Sequence, residues 1–165
     1  MRTIRGGRGD GARRSVRRRA AGLGLAVVTA ATAMSVAAPA AHADTVTKWQ
    51  RQNSNICLGG EGRIGLNVYC DINADIRWNV HRWQDGTYEL RHIASNMCLD
   101  DSNAYGLRAF PCNKMTYQSW WLHRWRDGTT QIKNQATLRC LDQSSYGMRT
   151  YPCNATVYQS WWGTW

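Results

Sequence analysis

An all-β domain of three repeats, each stapled by its own disulfide, is the fold class this sequence predicts. Three observations predict it. The segment Tyr105-Gly-Leu-Arg-Ala-Phe-Pro-Cys-Asn-Lys-Met-Thr-Tyr-Gln-Ser-Trp-Trp121 returns as Tyr146-Gly-Met-Arg-Thr-Tyr-Pro-Cys-Asn-Ala-Thr-Val-Tyr-Gln-Ser-Trp-Trp162 with 11 of 17 positions identical. Cysteines recur at 57, 98 and 140 and again at 70, 112 and 153, and a tryptophan recurs at 78, 120 and 161, every step being 41 or 42 residues. After Asp44 the local signals are those of strands and turns, with no helical period. Self-similarity at a fixed period describes the whole fold, because each unit buries its apolar face against its copies.

In chain order, the first 43 residues stand outside the pattern. Arg2 to Arg19 holds eight arginines, an Ala-, Val- and Leu-rich uncharged run follows to Ala38, and Pro39-Ala-Ala-His-Ala43 offers the small residues that a signal peptidase reads. This is the three-part layout of a cleaved secretory signal; the run is too weakly hydrophobic to suggest a retained anchor. Arg17-Arg18 hints at a twin-arginine route without the rest of that signature. With the leader go eight of the 21 basic and one of the 11 acidic residues, leaving 13 against 10 and a net charge of +3 in residues 44–165. No basic run survives, so a nucleic-acid-binding surface is not expected, nor is stable membrane insertion after cleavage.

The remaining 122 residues suit one domain with repeats at about 46–87, 88–129 and 130–165. They contain all nine tryptophans, all seven tyrosines, the single Phe110 and all six cysteines. Six cysteines allow 15 pairings, and the repeat selects Cys57–Cys70, Cys98–Cys112 and Cys140–Cys153. A zinc site is the rival, but ligand pairs normally sit two to four residues apart and no Cys-x-x-Cys occurs. Trp83-Gln-Asp-Gly-Thr87 and Trp125-Arg-Asp-Gly-Thr129 place Asp-Gly between short apolar or β-branched runs, a strong hairpin signal. Glu89-Leu-Arg91 and Gln131-Ile-Lys133 alternate as half-buried strands do. Lys48-Trp-Gln50 centres eight residues before Cys57, as Leu90 and Ile132 stand before their cysteines. The N-terminal strand is therefore expected to complete the third repeat and close a threefold barrel, which leaves no sheet edge open.

Cys98-Leu-Asp100 and Cys140-Leu-Asp142 early in a repeat, with Gln118-Ser-Trp120 and Gln159-Ser-Trp161 late in it, resemble the ricin B-type β-trefoil lectins. The resemblance covers residues 44–165 and is nearest to the small secreted actinohivin-like lectins that bind mannose-rich glycans. It implies a β-trefoil that binds carbohydrate without catalysis, cofactor or metal. Carried over, it implies sugar contacts from Asp100, Asn113 and Tyr117 with Phe110 lining the site, and from Asp142, Asn154 and Tyr158 with Tyr151 in the lining role. Gln118, Trp120, Gln159, Trp161 and Trp78 take structural roles. The residue types suit the chemistry: a neutral sugar needs an acceptor-rich carboxylate, an amide and an aromatic wall.

Two departures from the family pattern stand out. Arg108 and Arg149 occupy positions where a sugar-contacting tyrosine is implied. Each is placed to pair with Asp100 or Asp142, or to recruit a carboxylate or phosphate of an acidic glycan. Partners are thus expected among glycans, mannose-type or acidic. In the first repeat, Gly59, Val68, Asp71, Asp75 and Ile76 replace the aspartate, aromatic, asparagine, tyrosine and glutamine, so two working sites are expected, not three. His81 and His123 lack a repeated nucleophile and read as structural; Asp85 and Asp127 read as turn residues. Asn154-Ala-Thr156 matches a glycosylation sequon inside the third-repeat site. The alternative function is a protein-binding trefoil, such as a protease inhibitor or a toxin-assembly component, using Trp121, Trp162 or Trp165.

Overall fold

The computed structural model describes residues 43–60 and 65–165; the expected leader lies outside them except for Ala43. Strands β1 (Thr45–Thr47), β2 (Gln50–Arg51), β5 (Trp78–Arg82), β6 (Tyr88–His92), β9 (Trp120–Arg124), β10 (Thr130–Asn134) and β13 (Trp161–Trp162) form the barrel. They pair in the order β1-β5-β6-β9-β10-β13-β2. Because β1 and β2 are consecutive pieces of one run, broken only at Lys48 and Trp49, this order is a closed ring. Trp161 pairs with Arg51 and Trp162 with Gln50, so the N-terminal strand completes the third repeat as the spacing predicts.

Three hairpins cap the ring: β3 (Ile56–Leu58) with β4 (Asn67–Tyr69), β7 (Met97–Ser102) with β8 (Gly106–Pro111), and β11 (Cys140–Ser144) with β12 (Gly147–Tyr151). Each joins the barrel at its first cysteine, through Gln50–Cys57, Arg91–Cys98 and Lys133–Cys140. Disulfides Cys57–Cys70, Cys98–Cys112 and Cys140–Cys153 cross them as the repeat predicts. Glu89 lies beside Cys98 and Cys112, but those sulfurs are bonded to each other and are not thiolate ligands.

The core is built in layers of three. Trp49, Leu90 and Ile132 form one, Leu58, Leu99 and Leu141 another, and Trp78, Trp120 and Trp161 a third, all buried. The indole N–H groups of that third layer donate to the carbonyls of Leu58, Leu99 and Leu141 at 3.0, 2.9 and 3.1 Å. The one indole polar atom is thereby satisfied while the ring is buried, at roughly 200 Å² and about 5 kcal/mol per ring before entropy is counted. The symmetry breaks at one pair. Val80 faces Leu90 and Leu122 faces Ile132, but one step beyond the Trp162–Gln50 pair the bulky Trp49 meets Gly163. A Cβ on Gly163 would lie 2.4 Å from the Trp49 ring, so the largest residue is matched by the smallest.

The turns follow their sequence signals. Trp83 and Trp125 carbonyls accept from Gly86 and Gly128 at 3.1 Å each, and both glycines have φ near +87°, at 85° and 89°. One expectation needs correction. Glu89 is not on a solvated face: it is 2% exposed, with Oε1 held by Arg91 at 2.7 Å. Consistent with the lack of a helical period, the described residues hold only single 3₁₀ turns, at Thr116–Gln118 and Val157–Gln159, and three residues are too few to leave a period in the sequence.

Candidate sugar-binding sites on the second and third repeats

Asp100 on β7 lies directly across the hairpin from Arg108 on β8, and Asp142 on β11 from Arg149 on β12. Facing positions put both side chains on one side of the sheet, and Phe110 and Tyr151, two residues further along, share it. Arg108 Nε donates to Asp100 Oδ1 at 2.9 Å and Arg149 Nε to Asp142 Oδ1 at 3.0 Å. The second carboxylate oxygens are reached by Gln118 Nε2 and Gln159 Nε2, each at 3.3 Å. Both aspartates are only 2% exposed. The internal ion pair open to each arginine is formed.

The glutamines of Gln-x-Trp complete the scaffold. Gln118 is buried, gives its amide hydrogens also to the Pro111 carbonyl at 3.0 Å, and accepts from the Asn113 backbone N–H at 2.8 Å. Gln159 repeats this with Pro152 at 3.1 Å and Asn154 at 2.9 Å. One side chain therefore ties the aspartate, the end of the hairpin and the asparagine loop together. Asn113 Oδ1 accepts from Met115 N–H at 3.0 Å, and Asn154 Oδ1 from the Thr156 amide and hydroxyl at 3.2 and 2.9 Å. The next residues, Lys114 and Ala155, have left-handed φ of 59° and 53°. Both loops keep this uncommon non-glycine conformation, and both asparagines are exposed.

Aromatic rings wall each site. Phe110, Tyr117, Tyr151 and Tyr158 are all exposed, and Arg51 lies over the Tyr158 ring at 5.5 Å. The Arg108 guanidinium packs on Phe110 at 4.0 Å and on Tyr105 at 4.5 Å. Arg149 packs likewise on Tyr151 at 4.4 Å and Tyr146 at 4.8 Å. Tyr105 and Tyr146 were not among the residues expected at the sites. Their signal was present, since each opens the 17-residue repeated segment; a tyrosine in a hairpin turn simply carries no chemistry until the arginine is placed beneath it.

Among its described residues the first repeat has no such assembly. Leu66 stands in place of the arginine, and its carbonyl accepts from Gly59 N–H at 2.8 Å. A Cβ on Gly59 would lie 2.5 Å from the Gly65 carbonyl oxygen, so no aspartate fits without moving backbone. Val68 and Ile76 are buried. Asp75 turns to Arg77 at 2.7 Å, which with the Arg77 backbone N–H holds its carboxyl down at about 2. Elsewhere His81 pairs with Asp44 at 2.7 Å and His123 packs edge-on against Trp125.

A sequence profile described as the ricin-type beta-trefoil lectin domain-like family matches residues 74–161. The chain belongs to that family. No curated protein sequence matches it. Among solved structures, this ricin-type trefoil is similar to the Polyporus squamosus lectin bound to a Neu5Aca2-6Galb1-4GlcNAc epitope, with a TM-score of 0.64, 12% identity, and coverage of 74% of this chain and 49% of that one. It is similar to the designed threefold symmetric protein ThreeFoil at a TM-score of 0.62 and 22% identity, covering 72% and 96%. A mosquitocidal holotoxin also matches at 0.64 and 13%, covering 73% of this chain but only 17% of the toxin. These likenesses establish the fold of the ricin-type trefoil.

Proposed function

We propose that the protein is a secreted, non-catalytic lectin with one glycan site on each of the second and third repeats and none on the first. The observation that carries this is the duplicated assembly of ion-paired aspartate and arginine, tying glutamine, exposed asparagine and aromatic walls, all missing where Gly59, Leu66 and Val68 stand. Arg108, Phe110, Asn113 and Tyr117 face the ligand in one site, and Arg149, Tyr151, Asn154 and Tyr158 in the other. Asp100 and Asp142 hold the arginines in place. Two sites on a rigid body gain by avidity against branched or polymeric glycans, on the order of 10²–10⁴ if both engage.

The test is a glycan array probed with the disulfide-intact protein beside its Asn113→Ala, Tyr117→Ala, Asn154→Ala, Tyr158→Ala variant. These four side chains are exposed, so the variant is expected to fold and to lose the signal. Trp121 and Trp162 favour one other reading. They stand exposed over the Gly86 and Gly128 turns and fit a protein partner, as in a toxin assembly. A blank array from the folded wild type supports that reading against the lectin.

A further inference from the structure

The manner in which Arg108 and Arg149 bind their aspartates sets them apart from the other ion-paired arginines among the described residues. Arg77, Arg91 and Arg139 each close the fork onto a carboxylate, using Nε and Nη2 together. Arg77 does so on Asp75 at 2.9 and 2.7 Å, Arg91 on Glu89 at 3.1 and 2.7 Å, and Arg139 on Asp101 at 3.1 and 2.7 Å. Arg108 and Arg149 bind through Nε alone, and the glutamine amide takes the second oxygen. Their Nη1 and Nη2 groups have no acceptor among the described residues. Those groups are reachable, since the side chains are 26% and 33% exposed. Aromatic rings pack against each guanidinium and hold its plane, so the outward edge is a fixed, unfilled donor fork.

The carboxylate and amide acceptors near that edge are already engaged, which leaves the tyrosine hydroxyls as the side-chain acceptors there. The aspartates are buried, and the Asn113 and Asn154 carbonyl oxygens are spent inside their own loops, so those amides present Nδ2. A neutral sugar hydroxyl brings a proton that needs an acceptor; a carboxylate only accepts, and it matches a guanidinium fork in plane and spacing. Resting on the lectin reading above, we propose that both sites select an acidic sugar. Its carboxylate is received by the outward Nη edge of Arg108 or Arg149, and its ring lies against Phe110 or Tyr151. Tyr105 and Tyr146 are positioning residues that keep the fork aimed.

Matched glycan pairs test this: uronic-acid and sialic-acid oligosaccharides, each against its own methyl ester, titrated with the wild type and with Arg108→Lys, Arg149→Lys. Lysine keeps the charge and can still pair with aspartate but has no fork. The wild type is expected to bind at least one acid roughly tenfold or more tighter than its ester, and the lysine variant to lose that preference while its melting temperature stays within a few degrees. Tyr105→Ala, Tyr146→Ala is expected to weaken the same preference. Esters binding as well as their acids would overturn the proposal and leave the lectin reading standing. A preference that survives in the lysine variant would also overturn it, by showing charge without geometry. Silence toward acids, esters and neutral glycans alike would remove the lectin reading as well.

Discussion

At the scale of single residues, Gln118 and Gln159 do more than their place in a signature implies. Each buried amide satisfies a carboxylate oxygen, a proline carbonyl and a backbone N–H at once. Gln118→Leu leaves all three partners without it, and buried groups left unpaired are costly. It is expected to lower stability by about 2–4 kcal/mol, read by urea denaturation, and to weaken glycan binding by the second repeat with Asn113 and Tyr117 untouched. Trp49 and Gly163 supply a second test. Gly163→Ala drives a methyl group into the indole and is expected to cost about 1–3 kcal/mol. Adding Trp49→Leu, which restores the leucine of Leu90, is expected to recover most of that loss; additive costs would show that the two residues are not matched.

At the scale of elements, the hairpin turns carry a pH dependence. The Thr87 and Thr129 hydroxyl and amide groups donate to Asp85 and Asp127 and hold both carboxyls below their ordinary value of 3.8. A depressed folded-state value contributes stability that is fully present above the unfolded value and is lost as pH falls through the folded one. The urea midpoint is therefore expected to fall between about pH 5 and pH 2, and less steeply in Asp85→Asn, Asp127→Asn; an unchanged slope would remove the turns as its source. Asp75 adds to the low end of that window, with its exposed ion pair discounted for screening. The disulfides act on the same hairpins. Cys98→Ser, Cys112→Ser closes no loop and is expected to cost about 2–4 kcal/mol, measured by chemical denaturation.

At the scale of the whole molecule, much of the fold was legible because period, cysteine pairing and turn chemistry all point to one architecture. The eight-residue spacing of Trp49 before Cys57 is enough to place the closing strand. Burial of Glu89 was not legible: its alternating neighbours look half-solvated, and only the packing around β6 and β7 encloses it. The site was legible in part. Position and residue types located the aspartates, asparagines and arginines, but direction was hidden. Nothing in the spacing tells whether Arg108 meets Asp100 by its fork or by Nε alone, or that Gln118, 18 residues from the aspartate, takes the other oxygen. Binding by two of the three repeats is open to a direct count by calorimetric titration with the best monovalent glycan from the array. Two sites per chain are expected, one after Asn113→Ala, Tyr117→Ala, and none when Asn154→Ala, Tyr158→Ala is added. Three sites, or a count that these changes leave at two, would contradict it.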